Sequence, residues 1–374
     1  MSDDAPEPDR IAGAPHPRDT ARLIGQDSAQ QDFLDAFTAG RVHSGWLITG
    51  PRGVGKATLA WKIATFLLAT PSQQDDGLFG APPPPTSLAI DPDHPDARLV
   101  QSGSHPGLLV IRRMVNEKTG ALQADITREA LEPLKNFFHM SATDGGHRVV
   151  IVDAADEMNR NAANAILKEL EEPPANTTLL LIAHQPSRLL PTIRSRCREL
   201  RCAPLAATDL AAALDQAGFQ TDQTEALTTL SGGSAGDAIR LLSHDGLPLY
   251  AELVDLMSGL PNVARPPLLK LADSCAGRNA DTRFALTLDL LDHLLARAAR
   301  TGLMGEPSSQ GAPGEARLLA RLSPNDRAAR AWADLQQSLS ARARHGRAVN
   351  LDPAALILDM VFAIEHTARD HAAP

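Results

Sequence analysis

The chain has few aromatic residues and very little cysteine, and each shortage excludes a class of site. Phenylalanine, tryptophan and tyrosine together make up 3% of its 374 residues. Proteins that bind single-stranded nucleic acid commonly stack bases on aromatic side chains, so the sequence predicts no stacking platform. Only three cysteines are present, Cys197, Cys202 and Cys275. They are too few for a disulfide framework or a four-cysteine zinc site, and they fit a reducing, cytoplasmic environment.

Long apolar runs and an excess of positive charge are missing as well. No stretch approaches the roughly 18 uninterrupted apolar residues that a membrane helix needs, so we expect no membrane association. Residues 1–22 are rich in Asp and Pro, lack the apolar core of a signal peptide and are predicted to be a flexible tail. The formal net charge is −9, so any DNA contact must come from a local patch. The arginine-rich stretch 317–347 is one candidate, and it suits the solvated face of a helix equally well.

A glycine-rich loop at residues 50–57 is the first motif with a chemical meaning. It follows a short apolar run at 46–49 and precedes helically spaced apolar residues at 56–69, as in a strand–loop–helix unit. The pattern G-x-x-x-x-G-K-[ST] is met by a glycine at 50, another at 55 and Lys56. In a P-loop, backbone N–H groups cradle phosphate oxygens and the lysine reaches the outer phosphates. The sequence therefore predicts nucleotide binding, and a glycine-rich turn without ligand is the alternative.

Two groups that hydrolysis needs are missing, one in this loop and one after a later apolar run. Its last position is Ala57, so the hydroxyl that holds Mg²⁺ is missing, and Thr58 lies roughly 100° further round the helix. Asp153 ends an apolar run where a P-loop ATPase has its metal-supporting carboxylate, but the neighbouring position, a glutamate in hydrolytic relatives, is Ala154. The next carboxylate is Asp156. We expect ATP or ADP to bind without hydrolysis, through Gly50, Gly53, Gly55, Lys56, Ala57, Thr58 and Asp153.

Alternating strand and helix patterns predict an α/β fold with a parallel sheet. Apolar runs typical of buried strands lie at 108–112, 148–153 and 178–183, and helical patterns lie at 127–140 and 161–172. Beyond residue 206 only helical patterns occur. We divide the chain into a tail at 1–22, a nucleotide-binding domain at 23–205 with an exposed Pro-rich insertion lacking regular elements at 71–106, a helical lid at 206–247 and a helical domain at 248–374.

Five segments of the chain form an ordered set, and they are Ile24-Gly25-Gln26, the P-loop, Asp153, residues 164–174 and residues 193–198. Joint occurrence of Leu-Glu-Glu-Pro-Pro and Ser-Arg-Cys at this spacing is the most specific part of the set. Taken in order, these segments resemble the AAA+ clamp-loader subunits of bacterial DNA polymerase III, and the delta-prime family most. The resemblance covers residues 23–245, and the segment 349–352 resembles the end of these subunits. It implies a P-loop AAA+ domain, a small helical lid and an all-α collar that serves oligomerisation.

The resemblance also implies a role for Arg196 in Ser195-Arg196-Cys197. In such families this arginine faces the nucleotide site of the next subunit and acts as an arginine finger. The chain would then be a largely non-hydrolysing stator of the polymerase holoenzyme. Its partners would be gamma/tau and delta subunits in a hetero-oligomer, which acts with the sliding clamp and primer-template DNA. From charge spacing alone, Arg196 and its neighbouring arginines would be a solvated basic turn.

Further departures from the family pattern agree with a subunit that does not hydrolyse ATP. The lid motif has Gly236 where an arginine is expected, and the polar sensor after the strand at 178–183 would be Ala183 or His184, which can also be a strand-end histidine. The insertion contains no cysteine, so the zinc module of many relatives is not expected. Two other functions stay open here, an active gamma/tau-type ATPase motor and a nucleotide-binding assembly module unrelated to replication.

Overall fold

The computed structural model describes residues 7–8, 10–70, 84–116, 118–139, 146–277 and 280–371. Two compact units make up the chain. The first comprises residues 1–220 and 234–237, and the second comprises residues 221–233 and 238–374.

A parallel sheet forms the centre of the first unit, as the sequence predicts, and it has five strands in the described part of the chain. Its strand order is β2-β3-β4-β1-β5, so β2 and β5 are the edges. The strands are β1 Gly45–Thr49, β2 Leu108–Arg112, β3 Arg148–Asp153, β4 Thr177–Ala183 and β5 Arg198–Arg201. The helices are α1 Asp27–Thr38, α2 Lys56–Ala69, α3 Pro95–Gln101, α4 Glu132–His139, α5 Arg160–Glu171, α6 Pro191–Arg194 and α7 Ala207–Gln216.

Helices cover both faces of this sheet, which explains why its central strands are apolar throughout. Successive residues of a strand point to opposite faces. Trp46 and Ile48 of β1 therefore pack in one cluster with α1 and α2, while Leu47 packs in the other with α5 and the segment before α4. Every residue of β1 and β4 is buried. A strand covered on both faces is expected to read as a continuous apolar run.

The predicted helix at 127–140 is shorter in the structure and starts later. A 3-10 turn at Glu129–Leu131 precedes α4, which begins at Glu132. Pro133 suits this start, because proline is tolerated in the first turn of a helix, where its missing N–H would have no partner within the helix. Residue 140 lies outside the described part of the chain.

The prediction that residues 71–106 hold no regular element is wrong for residues 95–101, which form α3. Pro95 occupies its first turn, and the His94 side chain accepts a hydrogen bond from the Asp96 amide. Val100 and Leu88 are buried and join the core on the α2 face of the sheet. Residues 71–83 of this segment lie outside the described residues.

Part of the segment predicted as a flexible tail packs against α2, which differs from the prediction. A 3-10 turn spans Pro17–Asp19. The buried ring of His16 packs edge-on against Trp61, with 5.6 Å between the ring centroids. The Lys62 ammonium also donates a hydrogen bond to the Ala21 carbonyl, at 2.8 Å.

Among its described residues the second unit contains helices and no strand, which agrees with the prediction for this half of the chain. Helix α12 packs along α14, and α11 packs on α15. None of the helices in the described ranges combines the length and the apolar character needed to cross a membrane. The remaining helices are α8 Thr224–Ser231, α9 Ala235–Ser243, α10 Gly246–Ser258, α11 Arg265–Cys275, α12 Asp281–Met304, α13 Glu315–Leu322, α14 Asp326–Ala348 and α15 Pro353–His371.

Candidate functional site

The P-loop lies between β1 and α2, at the carboxyl edge of the sheet, and its glycines are required by conformation and by space. Gly50 has φ 142° and Gly55 has φ 102°, in the region that favours glycine. A Cβ at position 50 would collide with the Cys202 carbonyl, and one at position 55 would lie 3.1 Å from Leu23 Cδ1. The conformation of the loop thus depends on these glycines, and protein atoms pack closely around it.

Lys56, the lysine of the motif, is buried and bonded within its own loop. Its ammonium donates a hydrogen bond to the Pro51 carbonyl oxygen. Burial lowers the pKa of this lysine to about 8, although the nearby Asp153 and Asp156 carboxylates act in the opposite direction. A phosphate would therefore have to replace the contact with Pro51 to recruit this ammonium.

The Asp156 carboxylate is committed to the backbone and does not point to a water-activating role. The amides of His184 and Gln185 donate to its two oxygens, at 3.0 and 2.9 Å. These bonds tie the end of β4 to the turn after β3. Because both oxygens of this carboxylate already accept backbone hydrogen bonds, Asp156 does not replace the glutamate that is missing at Ala154.

His184, the sensor candidate, is uncharged at neutral pH. Burial lowers its pKa to about 4, and the positive charges of Lys56 and Arg52 act in the same direction. Its Nδ1 atom is buried without a hydrogen-bond partner among the described residues. His184 therefore brings no positive charge to this edge of the sheet.

The lid glycine, Gly236, lies directly against the P-loop. Its amide donates a hydrogen bond of 3.1 Å to the carbonyl oxygen of Gly53. A Cβ at position 236 would lie 2.7 Å from Ile11 Cδ1 and 3.0 Å from Gly53 Cα. The position where relatives carry a nucleotide-sensing arginine is thus in backbone contact with the loop, and no side chain fits there without displacement.

An ion-pair chain that sequence inspection missed ties the P-loop to the turn after β3. Arg52 Nη2 lies 2.9 Å from Glu157 Oε1, and Arg113 Nε lies 2.8 Å from Glu157 Oε2. The three residues are far apart in the sequence and follow no motif spacing, so only the fold brings them together.

Arg196 lies at the opposite end of the strands from the P-loop. It precedes β5, which runs parallel to β1 with Arg198 beside Trp46 and Arg201 beside Thr49. The P-loop follows Thr49, whereas Arg196 precedes Arg198. The paired strand segment lies between the two sites, and at roughly 3.3 Å per residue it is about 10 Å long. Arg196 therefore does not belong to this chain's own P-loop.

The Arg196 guanidinium is partly exposed and has two partners from its own chain. Nη2 lies 2.8 Å from Glu171 Oε1, and Nη1 donates to the Thr192 carbonyl oxygen at 3.0 Å. Its side chain is 36% exposed. It is therefore not the fully solvated arginine that charge spacing alone would favour.

The residues around the P-loop do not fit a Mg²⁺ site for hydrolysis. Ala57 offers no ligand and packs against the core, and Thr58 is half-buried one position further along α2. Asp153 is buried at the end of β3 as predicted. The sequence-predicted phosphate residues are thus brought together at one edge of the sheet, whereas the metal-binding and water-activating groups are not replaced by other described side chains.

The parallel sheet, the P-loop between β1 and α2 and the following helical unit define a P-loop protein of the AAA+ type. Comparison with known proteins gives a narrower assignment. Residues 25–206 match the family model described as DNA polymerase III, delta subunit. Over that range the chain is similar to this family, which agrees with the resemblance inferred from its motifs.

The similar curated proteins include two delta-prime subunits and a gamma subunit. DNA polymerase III subunit delta' of Pseudomonas aeruginosa is 39% identical over 60% of this chain and 63% of its own length. The Escherichia coli K12 delta' subunit is 33% identical over 58% and 59%. The gamma subunit of Buchnera aphidicola is more distant, at 27% identity over 66% and 64%. The chain thus spans less than two thirds of the length of these relatives.

Proposed function

We propose that this chain is a delta-prime-like stator subunit of a DNA polymerase III clamp loader and acts in the cytoplasm. In this role it helps to load the sliding clamp onto primed DNA without hydrolysing ATP itself. Its partners are gamma/tau and delta subunits, and the complex brings it to the clamp and the primer-template DNA. Similarity to two delta-prime subunits supports this assignment.

The separation of Arg196 from the P-loop is the observation that carries the proposal. Because β1 and β5 are parallel, the arginine lies at the amino ends of these strands and the loop lies at their carboxyl ends. A finger at the amino ends reaches a nucleotide only if a second subunit presents its own site there. Arg196 then stabilises negative charge that develops on the phosphates of that neighbour's ATP.

The P-loop has a structural role in this proposal. Lys56 bonds to Pro51, Gly236 bonds to Gly53, and Asp156 is held by two backbone amides. ATP or ADP held at the glycines would stabilise the fold of the subunit, and turnover would still lack its metal hydroxyl and its water-activating carboxylate.

An active gamma/tau-type motor is the second candidate, and one observation favours it. The glycines, Lys56 and Asp153 are all at their expected places, and the Buchnera gamma subunit is similar over 66% of this chain. Measuring ATP turnover by the purified chain separates the two candidates, because a gamma/tau-type motor hydrolyses ATP at its own P-loop, whereas the proposed stator does not.

Mutating the finger in a reconstituted complex tests the proposal. Arg196→Ala should abolish the share of DNA-stimulated ATPase that arises at the adjacent site, since arginine fingers contribute roughly 10³–10⁵ in rate. Arg194→Ala is the matched control, because Arg194 is also exposed and lies two residues away. Equal rates in the wild type and in Arg196→Ala complexes would refute the finger assignment.

A further inference from the structure

The two most specific motifs of the chain meet at the surface through one ion pair. Glu171 belongs to Leu-Glu-Glu-Pro-Pro at the end of α5, and Arg196 belongs to Ser-Arg-Cys after α6. Their side chains lie 2.8 Å apart, between Oε1 and Nη2. The proposed function does not explain why a carboxylate forms an ion pair with the arginine finger.

Packing beneath the pair fixes where it forms. Leu170 and Cys197, the sequence neighbours of the two charged residues, pack in the same core cluster. Gly45 of β1 lies between them, since a Cβ there would be 2.8 Å from Leu170 Cδ2 and 3.1 Å from Cys197 Sγ. The buried Leu170 and the half-buried Cys197 hold the two motifs together, so Glu171 and Arg196 face each other at the surface.

The pair is exposed enough to exchange partners. The Arg196 side chain is 36% exposed and that of Glu171 is 48% exposed. Exposed ion pairs are weak and screened by salt. A polyphosphate carries more negative charge than one carboxylate and accepts bidentate hydrogen bonds from arginine, so it competes well for the same guanidinium.

We infer that Glu171 is a positioning residue, which holds Arg196 at the subunit surface and yields it to the phosphates of a neighbouring subunit's nucleotide. This inference rests on the proposed function. While Glu171 is bound, the pair has no net charge and attracts phosphate little. Binding of the neighbour's nucleotide therefore includes the cost of separating the pair, and Glu171 sets the nucleotide concentration at which the finger engages.

A kinetic comparison in the reconstituted complex tests this role. The Arg196-dependent rate is the ATPase rate of a complex minus that of the same complex with Arg196→Ala. With Glu171→Gln, this rate should reach half its maximum at an ATP concentration about two- to fivefold lower, the ratio that corresponds to an exposed pair of up to about 1 kcal/mol. Its maximum should change less than twofold. Glu172→Gln removes the same charge one residue away and should leave both values unchanged.

The double variant distinguishes positioning from a general structural effect. Glu171→Gln combined with Arg196→Ala should behave like Arg196→Ala alone, because the glutamate acts only through the arginine. An unchanged half-maximal ATP concentration in Glu171→Gln, or an equal shift in Glu172→Gln, would overturn the inference while leaving the finger in place. If Arg196→Ala itself has no effect, the proposed function fails and the role of Glu171 fails with it.

Discussion

The amide of Gly236 donates a hydrogen bond of 3.1 Å to the carbonyl oxygen of Gly53, and it joins the lid segment to the P-loop. Both residues are glycines, and a Cβ on either one would lie 3.0 Å from the Cα of the other. The loss of the lid arginine is therefore built into the packing of this unit. Restoring that arginine would disturb the fold before it could restore any sensing of nucleotide.

We expect Gly236→Arg to destabilise the first unit. The added Cβ meets Ile11 Cδ1 at 2.7 Å and Gly53 Cα at 3.0 Å, and overpacking of this kind costs roughly 1–3 kcal/mol. Thermal unfolding followed by circular dichroism measures the effect. Gly146→Arg is the matched control, because nothing lies within 4 Å of a Cβ at that position. An unchanged melting temperature in Gly236→Arg would show that the lid segment moves away without cost.

A second prediction concerns the missing metal hydroxyl. Ala57→Thr restores the residue type of the P-loop pattern, but Lys56 stays bonded to Pro51 and position 154 still lacks a carboxylate. Since the water-activating carboxylate is still absent, we expect this variant to show no ATP turnover above the wild type. Phosphate release from the purified chain measures it, with a gamma subunit as the positive control. Turnover near the gamma rate would favour the motor function.

Sequence patterns predicted the centre of the fold well because its strands are buried on both faces. The apolar runs at 108–112 and 148–153 coincide with β2 and β3, and the helix at 56–69 coincides with α2. Edge strand β5 was missed. Only Leu200 of its four residues is buried, and a short strand with one buried side chain has no periodic signal.

In the candidate site, too, the sequence predicted some features and missed others. Lys56 and the P-loop glycines follow a fixed spacing, because a phosphate cradle needs consecutive backbone amides. The pair Glu171–Arg196 and the pair Arg52–Glu157 join residues 25 or more positions apart. Such contacts depend on how strands order themselves in the sheet, which no local pattern contains.

The buried lysine predicts a pH dependence of stability. The pKa of Lys56 is about 8 in the fold and 10.5 for an ordinary lysine, so between these values the unfolded chain binds more protons than the folded chain. Stability from this group therefore rises as the pH increases from about 8 to 10.5, and below 8 the fold carries the full cost of the buried charge.

Urea unfolding of the wild type and of Lys56→Met at pH 7.5 and 9.5 measures this dependence. From the lower to the higher pH, the free energy of unfolding of the wild type should increase relative to that of the variant by on the order of 1–2 kcal/mol. One pKa unit corresponds to about 1.4 kcal/mol. Lys168→Met, at an exposed position of α5, should show no such difference. Parallel pH profiles for the wild type and Lys56→Met would contradict the lowered pKa.

The last prediction concerns the second unit, where Glu315 is fully buried at the start of α13. Its carboxylate accepts hydrogen bonds from the Tyr250 hydroxyl at 2.6 Å and from Arg297 Nε and the Gly311 amide at 2.5 Å each. Glu315→Ala leaves the Arg297 charge without its partner, so we expect a loss of about 3–5 kcal/mol in the free energy of unfolding.

Chemical denaturation of the full chain measures this loss in the transition that belongs to the helical unit. Glu306→Ala, an exposed glutamate in the same connection between α12 and α13, should change stability by less than about 0.5 kcal/mol. Glu315→Gln keeps an oxygen acceptor and should lie between the two. Equal stability of Glu315→Ala and Glu306→Ala would mean that water satisfies Arg297 and Tyr250 as well as the carboxylate does.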